Sequence, residues 1–100
     1  MGNPRRGATV TSMDSVLAEI KTERRRQDNK WGSQRRQTDG LWLAILSEEV
    51  GEVARAILED PSRPREFTYI SCNPDVHKEL IQVAAVCVAW VEASDAEDKL

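Results

Sequence analysis

Residues 80–91, LIQVAAVCVAWV, decide the fold of this 100-residue chain. Apart from Gln82 every position is apolar, so a helix over this stretch presents apolar side chains on all of its faces. Such a helix must be covered all round, and a chain of this length has few other elements to cover it. The sequence therefore predicts a buried helix whose cover is completed by a second subunit.

The residues before this stretch form a clear helix start. Asn73 is a good N-cap and Pro74 suits the first helical position, so we expect the helix to run from there to about Ala93. Apolar residues at helical spacing predict two more long helices, one from about 13 to 28 or 29 and one over 41–59. The expected fold class is all-α, a bundle of three long helices per chain completed by dimerisation.

Apolar stripes along the first two helices predict their buried faces. The first stripe turns polar after Ile20, where the same face continues onto Arg24, Gln27 and Trp31. This change marks either the point where the core opens into a site or the point where the helix leaves the core. Trp42 and Trp90 are expected in the core. The predicted stripes are Met13, Val16, Leu17 and Ile20 in the first helix, and Leu46, Val50, Val53 and Ile57 in the second.

The segments outside the helices suggest one domain with an arm and a long loop. Residues 1–11 contain Pro, Gly and Arg without periodicity and are expected to form a flexible N-terminal arm, which leaves 12–100 as the helical domain. Residues 61–74 contain three prolines and few helix-forming runs. Because long loops in compact domains are often functional, we expect this one to fold over a ligand.

Charge and cysteine content limit the possible classes of protein. The net charge is −3, yet residues 1–40 carry nine Lys/Arg and five Asp/Glu, while 41–100 carry five and twelve. A basic first part and an acidic second part suit phosphate bound through a divalent metal. Three arginines at 24–26 spread around a helix and are weak evidence for nucleic acid. Cys72 and Cys87 form no metal or disulfide pattern, and no apolar run reaches the roughly 20 residues of a membrane span, so we expect a cytoplasmic protein.

The segment EEVGE, residues 48–52, places several carboxylates beside a predicted core. Glu49 and Glu52 are neighbours on one helix face, at the border of the apolar stripe. In the last helix Glu79 shares a face with Val83 and Val86. Carboxylates gathered at the edge of a core repel one another unless a cation lies between them, and Mg²⁺ prefers such oxygen ligands. An ordinary solvated helix face is the alternative interpretation of EEVGE alone.

Two segments taken together resemble a known family. EEVGE at 48–52 and ELIQ at 79–82 are separated by 26 residues and resemble the ExxE…ExxD signature of the MazG-like all-α nucleotide pyrophosphohydrolases. The flanking segments ERRRQDNKWGSQ and KELIQVAAVCVAWVE resemble a small phage and bacterial branch of that superfamily, so the resemblance covers residues from about 15 to 92. It implies a helical, Mg²⁺-dependent, dimeric or tetrameric enzyme that hydrolyses nucleoside triphosphates, often deoxy or non-standard ones, to the monophosphate and pyrophosphate.

The resemblance also implies a set of metal ligands. Glu49, Glu52 and Glu79 would bind the metal, and Gln82 occupies the position where the family usually has an aspartate. An amide oxygen can bind Mg²⁺, but it carries no charge and cannot act as a base. Two other functions therefore stay open: a nucleotide- and metal-binding module with little turnover, and a structural helical dimer.

Catalytic and substrate-binding roles follow in the same way. Glu48 or Glu52 would accept the proton of the attacking water. Trp31 would stack on the base, as a tryptophan near this position does in the family, although a core or interface tryptophan is equally compatible with the sequence. The other candidate substrate-binding residues are Gln27, Lys30 and Lys78, of which the two lysines would meet phosphates.

Overall fold

The computed structural model of the chain describes residues 12–32, 36–62 and 73–98. Within those ranges it contains three helices and no strand, so the predicted all-α class is confirmed. The helices are α1 (Met13–Trp31), α2 (Asp39–Leu58) and α3 (Pro74–Asp98). The predicted arm over 1–11 and most of the predicted loop over 61–74 lie outside the described residues.

Each helix begins at a polar residue that caps its first turn. The hydroxyl of Ser12 accepts a hydrogen bond from the backbone N–H of Ser15 at 3.1 Å, and the hydroxyl of Thr38 accepts one from Leu41 at 3.2 Å. The side-chain oxygen of Asn73 accepts one from the N–H of Asp75 at 2.8 Å. These bonds satisfy donors that have no partner inside the helix, so α1 and α3 begin at the predicted residues, and α2 begins two residues earlier than predicted, at Asp39.

The helix ends differ more from the prediction. α1 continues to Trp31 because nothing interrupts it before Gly32, whose φ of 95° is readily adopted only by glycine. The N–H of Gly32 donates to the carbonyl of Asp28 at 2.7 Å and closes the last turn. α3 runs five residues beyond the predicted end at Ala93, because the following segment contains no Gly or Pro to stop it.

α3 is the central helix, and both other helices pack against it. Glu19 contacts His77 early in α1 and α3, and Arg24 contacts Glu92 later in both, so these two helices run in the same direction. α2 runs in the opposite direction, because Trp42 near its start lies against Trp90. No Cα atom of α1 lies within 8 Å of one from α2 in the described residues.

The apolar core lies between α2 and α3. Trp42, Val86 and Ala89 are buried, and Ile45, Leu46, Trp90 and Ala93 pack around them. The rings of Trp42 and Trp90 stack with centroids 6.4 Å apart and planes 8° from parallel. The indole N–H of Trp90 donates to Asp39 at 3.1 Å, which ties the start of α2 to α3. The expected core position of Trp42 is confirmed, while Trp90 is only partly buried.

Several residues predicted to be buried are exposed in the single chain. Met13 and Leu17 of the first stripe are 76% and 47% exposed, and Val50 of the second is 51% exposed. α3 is also uncovered on part of its surface, at Leu80 and Val91. The physical reason is that α1 and α2 each pack against α3 but not against each other, so one chain covers only part of each helix.

Two smaller observations concern the expected environment. In the part of the chain that the structure describes, none of the helices combines the length and apolar character needed to cross a membrane. Cys87 is a free thiol, and Cys72 lies outside the described residues.

Candidate metal centre

The faces of α2 and α3 that meet in the core continue into a polar group. Glu49 follows Trp42 by seven residues, so it lies on the same face of α2 two turns further along. Glu79 and Gln82 precede Val86 by seven and four residues and lie on the matching face of α3. Because the helices are antiparallel, the three polar side chains meet part-way along this interface, which continues beyond them to the contact between Asn73 and Ala56.

Gln82 joins the two carboxylates. Its Nε2 donates hydrogen bonds to Oε2 of Glu49 and to Oε2 of Glu79, both at 3.1 Å. The amide is assigned this orientation because the opposite one would turn the Gln82 oxygen towards the two carboxylates, which only accept hydrogen bonds when ionised. The amide therefore links α2 to α3 through two negatively charged groups.

Glu49 lies in an environment that disfavours its charge. Burial is the largest cause of its raised pKa, followed by repulsion from the neighbouring carboxylates Glu79, Glu48, Glu52 and Glu23. None of the ion pairs within the described residues involves Glu49 or Glu79. Arg26 is near enough for the charge of Glu49 to raise its pKa, but it is bound to another residue, Glu23. The Glu49–Glu79 pair thus has no Arg, Lys or His partner of its own in the part of the chain that the structure describes.

The other predicted acidic residues lie at the edge of this group. Glu52 is 41% exposed in its side chain and pairs with Arg55 at 3.4 Å. Glu48 is exposed. Both act on Glu49 through their charge. The structure therefore brings Glu49, Glu79 and Gln82 into direct contact, and it places the two candidate proton acceptors beside them.

α1 adds a carboxylate that the sequence interpretation missed. Glu23 accepts hydrogen bonds from Arg26 at 2.9 and 2.7 Å and from Nε2 of Gln27 at 3.1 Å. The bond from Arg26 is the largest cause of the lowered pKa of Glu23, which burial opposes; the bond from Gln27 and the charge of Lys78 lower it further. A signal was present in the sequence, because Glu23 follows Ile20 by three residues on the predicted inner face.

The predicted substrate-binding residues lie on or beside α1. Gln27 is only 1% exposed, and its Oε1 has no hydrogen-bond partner among the described residues. The ammonium of Lys30 lies 4.8 Å from the ring centroid of Trp31, whose side chain is 45% exposed. Lys78 lines an open groove between α1 and α3 together with Glu23. Trp31 is eight residues beyond Glu23, or about 12 Å along the helix axis.

The donor groups suit a magnesium ion that is only partly bound by protein. In the ranges 12–32, 36–62 and 73–98, no three acidic, histidine or cysteine side chains are arranged as a metal-binding group. Mg²⁺ does not require such a group, because it commonly binds one or two carboxylates and keeps water and phosphate oxygens as its other ligands. Glu49 and Glu79 offer two carboxylates that have no ion pair with a basic side chain among the described residues, which fits that mode of binding.

Comparisons with known proteins add no relative: no protein-family profile, no curated protein and no solved structure matches this chain. The resemblance to MazG-like enzymes therefore depends on the quoted motifs. The support for a metal site that comes from the structure is the geometry at Glu49, Glu79 and Gln82.

Proposed function

We propose that the protein is a Mg²⁺-dependent nucleoside triphosphate pyrophosphohydrolase, which converts a (d)NTP to the (d)NMP and pyrophosphate. The main support is the pair Glu49 and Glu79, two partly buried carboxylates that share a neutral amide and have no ion pair among the described residues. Such a pair favours a divalent cation, and a divalent cation favours a phosphate ligand. The EEVGE and ELIQ motifs support the same reaction.

Within this proposal each side chain has a distinct task. When bound at Glu49 and Glu79, Mg²⁺ neutralises phosphate charge and lowers the pKa of the attacking water. Glu48, exposed and next to Glu49 in the sequence, or Glu52, which pairs with Arg55 at 3.4 Å, would accept the proton of that water. These two carboxylates need only lie within reach of the water, not of the metal.

Substrate binding would involve the second half of α1. The exposed ring of Trp31, with Lys30 beside it, offers a stacking surface for a base and a positive charge. Lys78 of α3 lies near Glu23, in the middle of α1, and offers a charge for phosphate. Gln27 lies between Glu23 and Trp31 and is buried, so its contact with substrate requires movement of the groups that cover it.

The function is tested by measuring pyrophosphate release from a panel of dNTPs with and without Mg²⁺. Glu49→Gln should reduce release at least about 100-fold, because it removes one of the two ligand carboxylates. Glu59→Gln is the matched control, since Glu59 lies just after α2 and is exposed. Mg²⁺ and nucleotide binding without release would instead indicate a binding module, and no binding at all would indicate a structural role.

We further propose that two copies of the chain cover each other's exposed apolar surface. Leu80, Val88 and Val91 of α3 are 51%, 39% and 60% exposed, and Leu43 and Val50 of α2 are 55% and 51% exposed. Within each helix these positions recur at helical spacing, so α2 and α3 each present an exposed apolar stripe, a kind of surface that favours association. Burying it in a homodimer would complete the core that one chain leaves open.

Light scattering tests this part of the proposal. The wild-type protein should have twice the chain mass of 11.3 kDa at micromolar concentration. Val91→Glu should weaken the dimer, while the control Met13→Glu, at an exposed position at the start of α1, should not. A wild-type monomer would contradict the dimer without affecting the metal proposal.

A further inference from the structure

Gln82 uses both of its amide hydrogens at the candidate metal centre. One hydrogen bond goes to Glu79, three residues earlier on the same helix, and the other crosses to Glu49 on α2. Each carboxylate accepts through Oε2, so Oε1 of each is not used by this amide. The contact therefore holds the two carboxylates together while leaving oxygen atoms that can bind a cation.

The same amide cannot be both a hydrogen-bond donor to this pair and a ligand to an ion between them. The nitrogen and oxygen of an amide point in different directions, so an oxygen turned towards the ion takes the nitrogen away from the carboxylates. We propose that Gln82 is a positioning residue, whose nitrogen holds Glu49 and Glu79 together before a cation binds, and that it does not coordinate the cation.

This role explains why a neutral residue occupies the position. An aspartate here would add another negative charge to a site where Glu49 and Glu79 already repel each other and where Glu48, Glu52 and Glu23 are near. The amide instead supplies two donors, which offset the repulsion without adding a formal charge. The protein can thus keep the two ligands assembled in the absence of metal. The inference concerns the carboxylates of the proposed function, yet it can be tested on the metal-free protein.

A spectroscopic test observes the hydrogen bonds directly. The chain has only four glutamines, so side-chain amide signals of a ¹⁵N-glutamine-labelled sample are few, and Gln82→Met identifies the signal of Gln82 by its loss. In the protein treated with EDTA, both Gln82 amide protons should exchange with water at least about tenfold more slowly than those of an exposed glutamine. Glu49→Ala, which adds no glutamine signal, should shift this signal and leave that of Gln27 unchanged.

A thermodynamic cycle tests whether Gln82 acts through Glu49. In metal-free protein near pH 8, Gln82→Met should lower the melting temperature by about 5 °C, because two hydrogen bonds to charged groups are lost. In a Glu49→Gln background the same substitution should lower the melting temperature by less than half as much, because residue 49 then carries no charge that repels Glu79. Mn²⁺ titration of the wild type and Gln82→Met should give affinities within about fivefold of each other.

Three results would overturn the inference. Rapid exchange of the Gln82 amide would show that the hydrogen bonds do not form. An equal loss of melting temperature in both backgrounds would mean that Gln82 acts only through packing. An unchanged melting temperature together with a loss of Mn²⁺ affinity of tenfold or more would make Gln82 a metal ligand. If the metal-free results agree but the wild type binds no Mn²⁺, the positioning role stands and the proposed function fails.

Discussion

Two carboxylates that face the same central helix, Glu23 from α1 and Glu49 from α2, have opposite electrostatic environments. At the α1–α3 interface Glu23 is held by Arg26 and Gln27, and its pKa is lowered. At the α2–α3 interface the hydrogen-bond partner of Glu49 among the described residues is the neutral amide of Gln82, and the pKa of Glu49 is raised by burial and by neighbouring carboxylates. A carboxylate with an arginine partner stabilises the fold, whereas a carboxylate without one is available to bind a cation.

The rest of each interface follows the same division. Between α1 and α3, Arg24 contacts Glu92, and His77 contacts Glu19 at 2.7 Å; within α1, Arg24 also pairs with Asp28. Between α2 and α3, the contacts include the stacked tryptophans, the buried apolar side chains, the Gln82 bridge and the hydrogen bond from Trp90 to Asp39. The acidic side chains of the α1–α3 interface thus have basic partners, whereas Glu49 and Glu79, part-way along the α2–α3 interface, have no ion pair among the described residues.

Placing a positively charged side chain at the α2–α3 interface should remove this difference. Gln82→Lys puts an ammonium between Glu49 and Glu79, so it should lower Mg²⁺ affinity at least about 10- to 100-fold and reduce pyrophosphate release accordingly. Calorimetry with Mg²⁺ and the release assay measure the two effects. Gln82→Met is the control for shape without charge. Full Mg²⁺ affinity in the lysine variant would mean that the metal binds elsewhere.

Removing a positively charged side chain from the α1–α3 interface should lower the stability of the fold. Arg24→Met leaves the partly buried Asp28 and the α3 residue Glu92 without their partner, so the free energy of unfolding should fall by about 1–2 kcal/mol. Arg25→Met, at an exposed position on the same helix, should change it by less than about 0.5 kcal/mol. Urea denaturation measures both. Equal effects of the two substitutions would contradict the assigned role of Arg24.

The smallest expected effect is a difference in pH dependence. The raised pKa of Glu49 means that its full contribution to stability is present below the unfolded pKa of 4.5 and is lost as the pH rises through the folded pKa. The lowered pKa of Glu23 means that its contribution is present above 4.5 and is lost as the pH falls through the folded value. Each effect should be at most about 1 kcal/mol, because solvent screens both side chains.

Two glutamine variants separate these contributions. Glu49→Gln should flatten the stability profile of the metal-free protein above pH 4.5, and Glu23→Gln should flatten it below that value. Urea denaturation at a series of pH values measures the profiles. If both variants changed the stability only above pH 4.5, or only below it, the pKa values of Glu49 and Glu23 would not be shifted in opposite directions.

The sequence predicted the helices well because their signals are local. Ser12, Thr38 and Asn73 are side chains that cap a helix within a few residues of themselves, and each caps the predicted helix. Helix ends were less accurate, since α3 continues past Ala93 through residues that neither favour nor prevent its extension strongly. The exposure of Val50 could not be predicted, because it depends on which helices touch and not on the pattern within one helix.

The candidate site was predictable only within each helix. The spacing of Glu79 and Gln82 places them together on α3, and the same reasoning places Glu49 on the inner face of α2. The bond between Gln82 and Glu49 depends on the register of two helices joined by a long segment, and no local pattern fixes that register. The opposite pKa shifts of Glu23 and Glu49 also depend on the register of the helices, since charged residues of other helices contribute to both shifts.

The central claim is that Glu49 and Glu79 of the α2–α3 interface bind a divalent cation, and that Glu23 of the α1–α3 interface, which is already paired with Arg26, does not. Isothermal titration of metal-free protein with Mn²⁺ or Mg²⁺ tests it most directly, using the wild type, Glu49→Gln and Glu23→Gln. The account predicts saturable binding by the wild type, a loss of at least about tenfold in Glu49→Gln, and a change of less than about threefold in Glu23→Gln. Equal affinities of the wild type and Glu49→Gln, or no binding by the wild type, would contradict it.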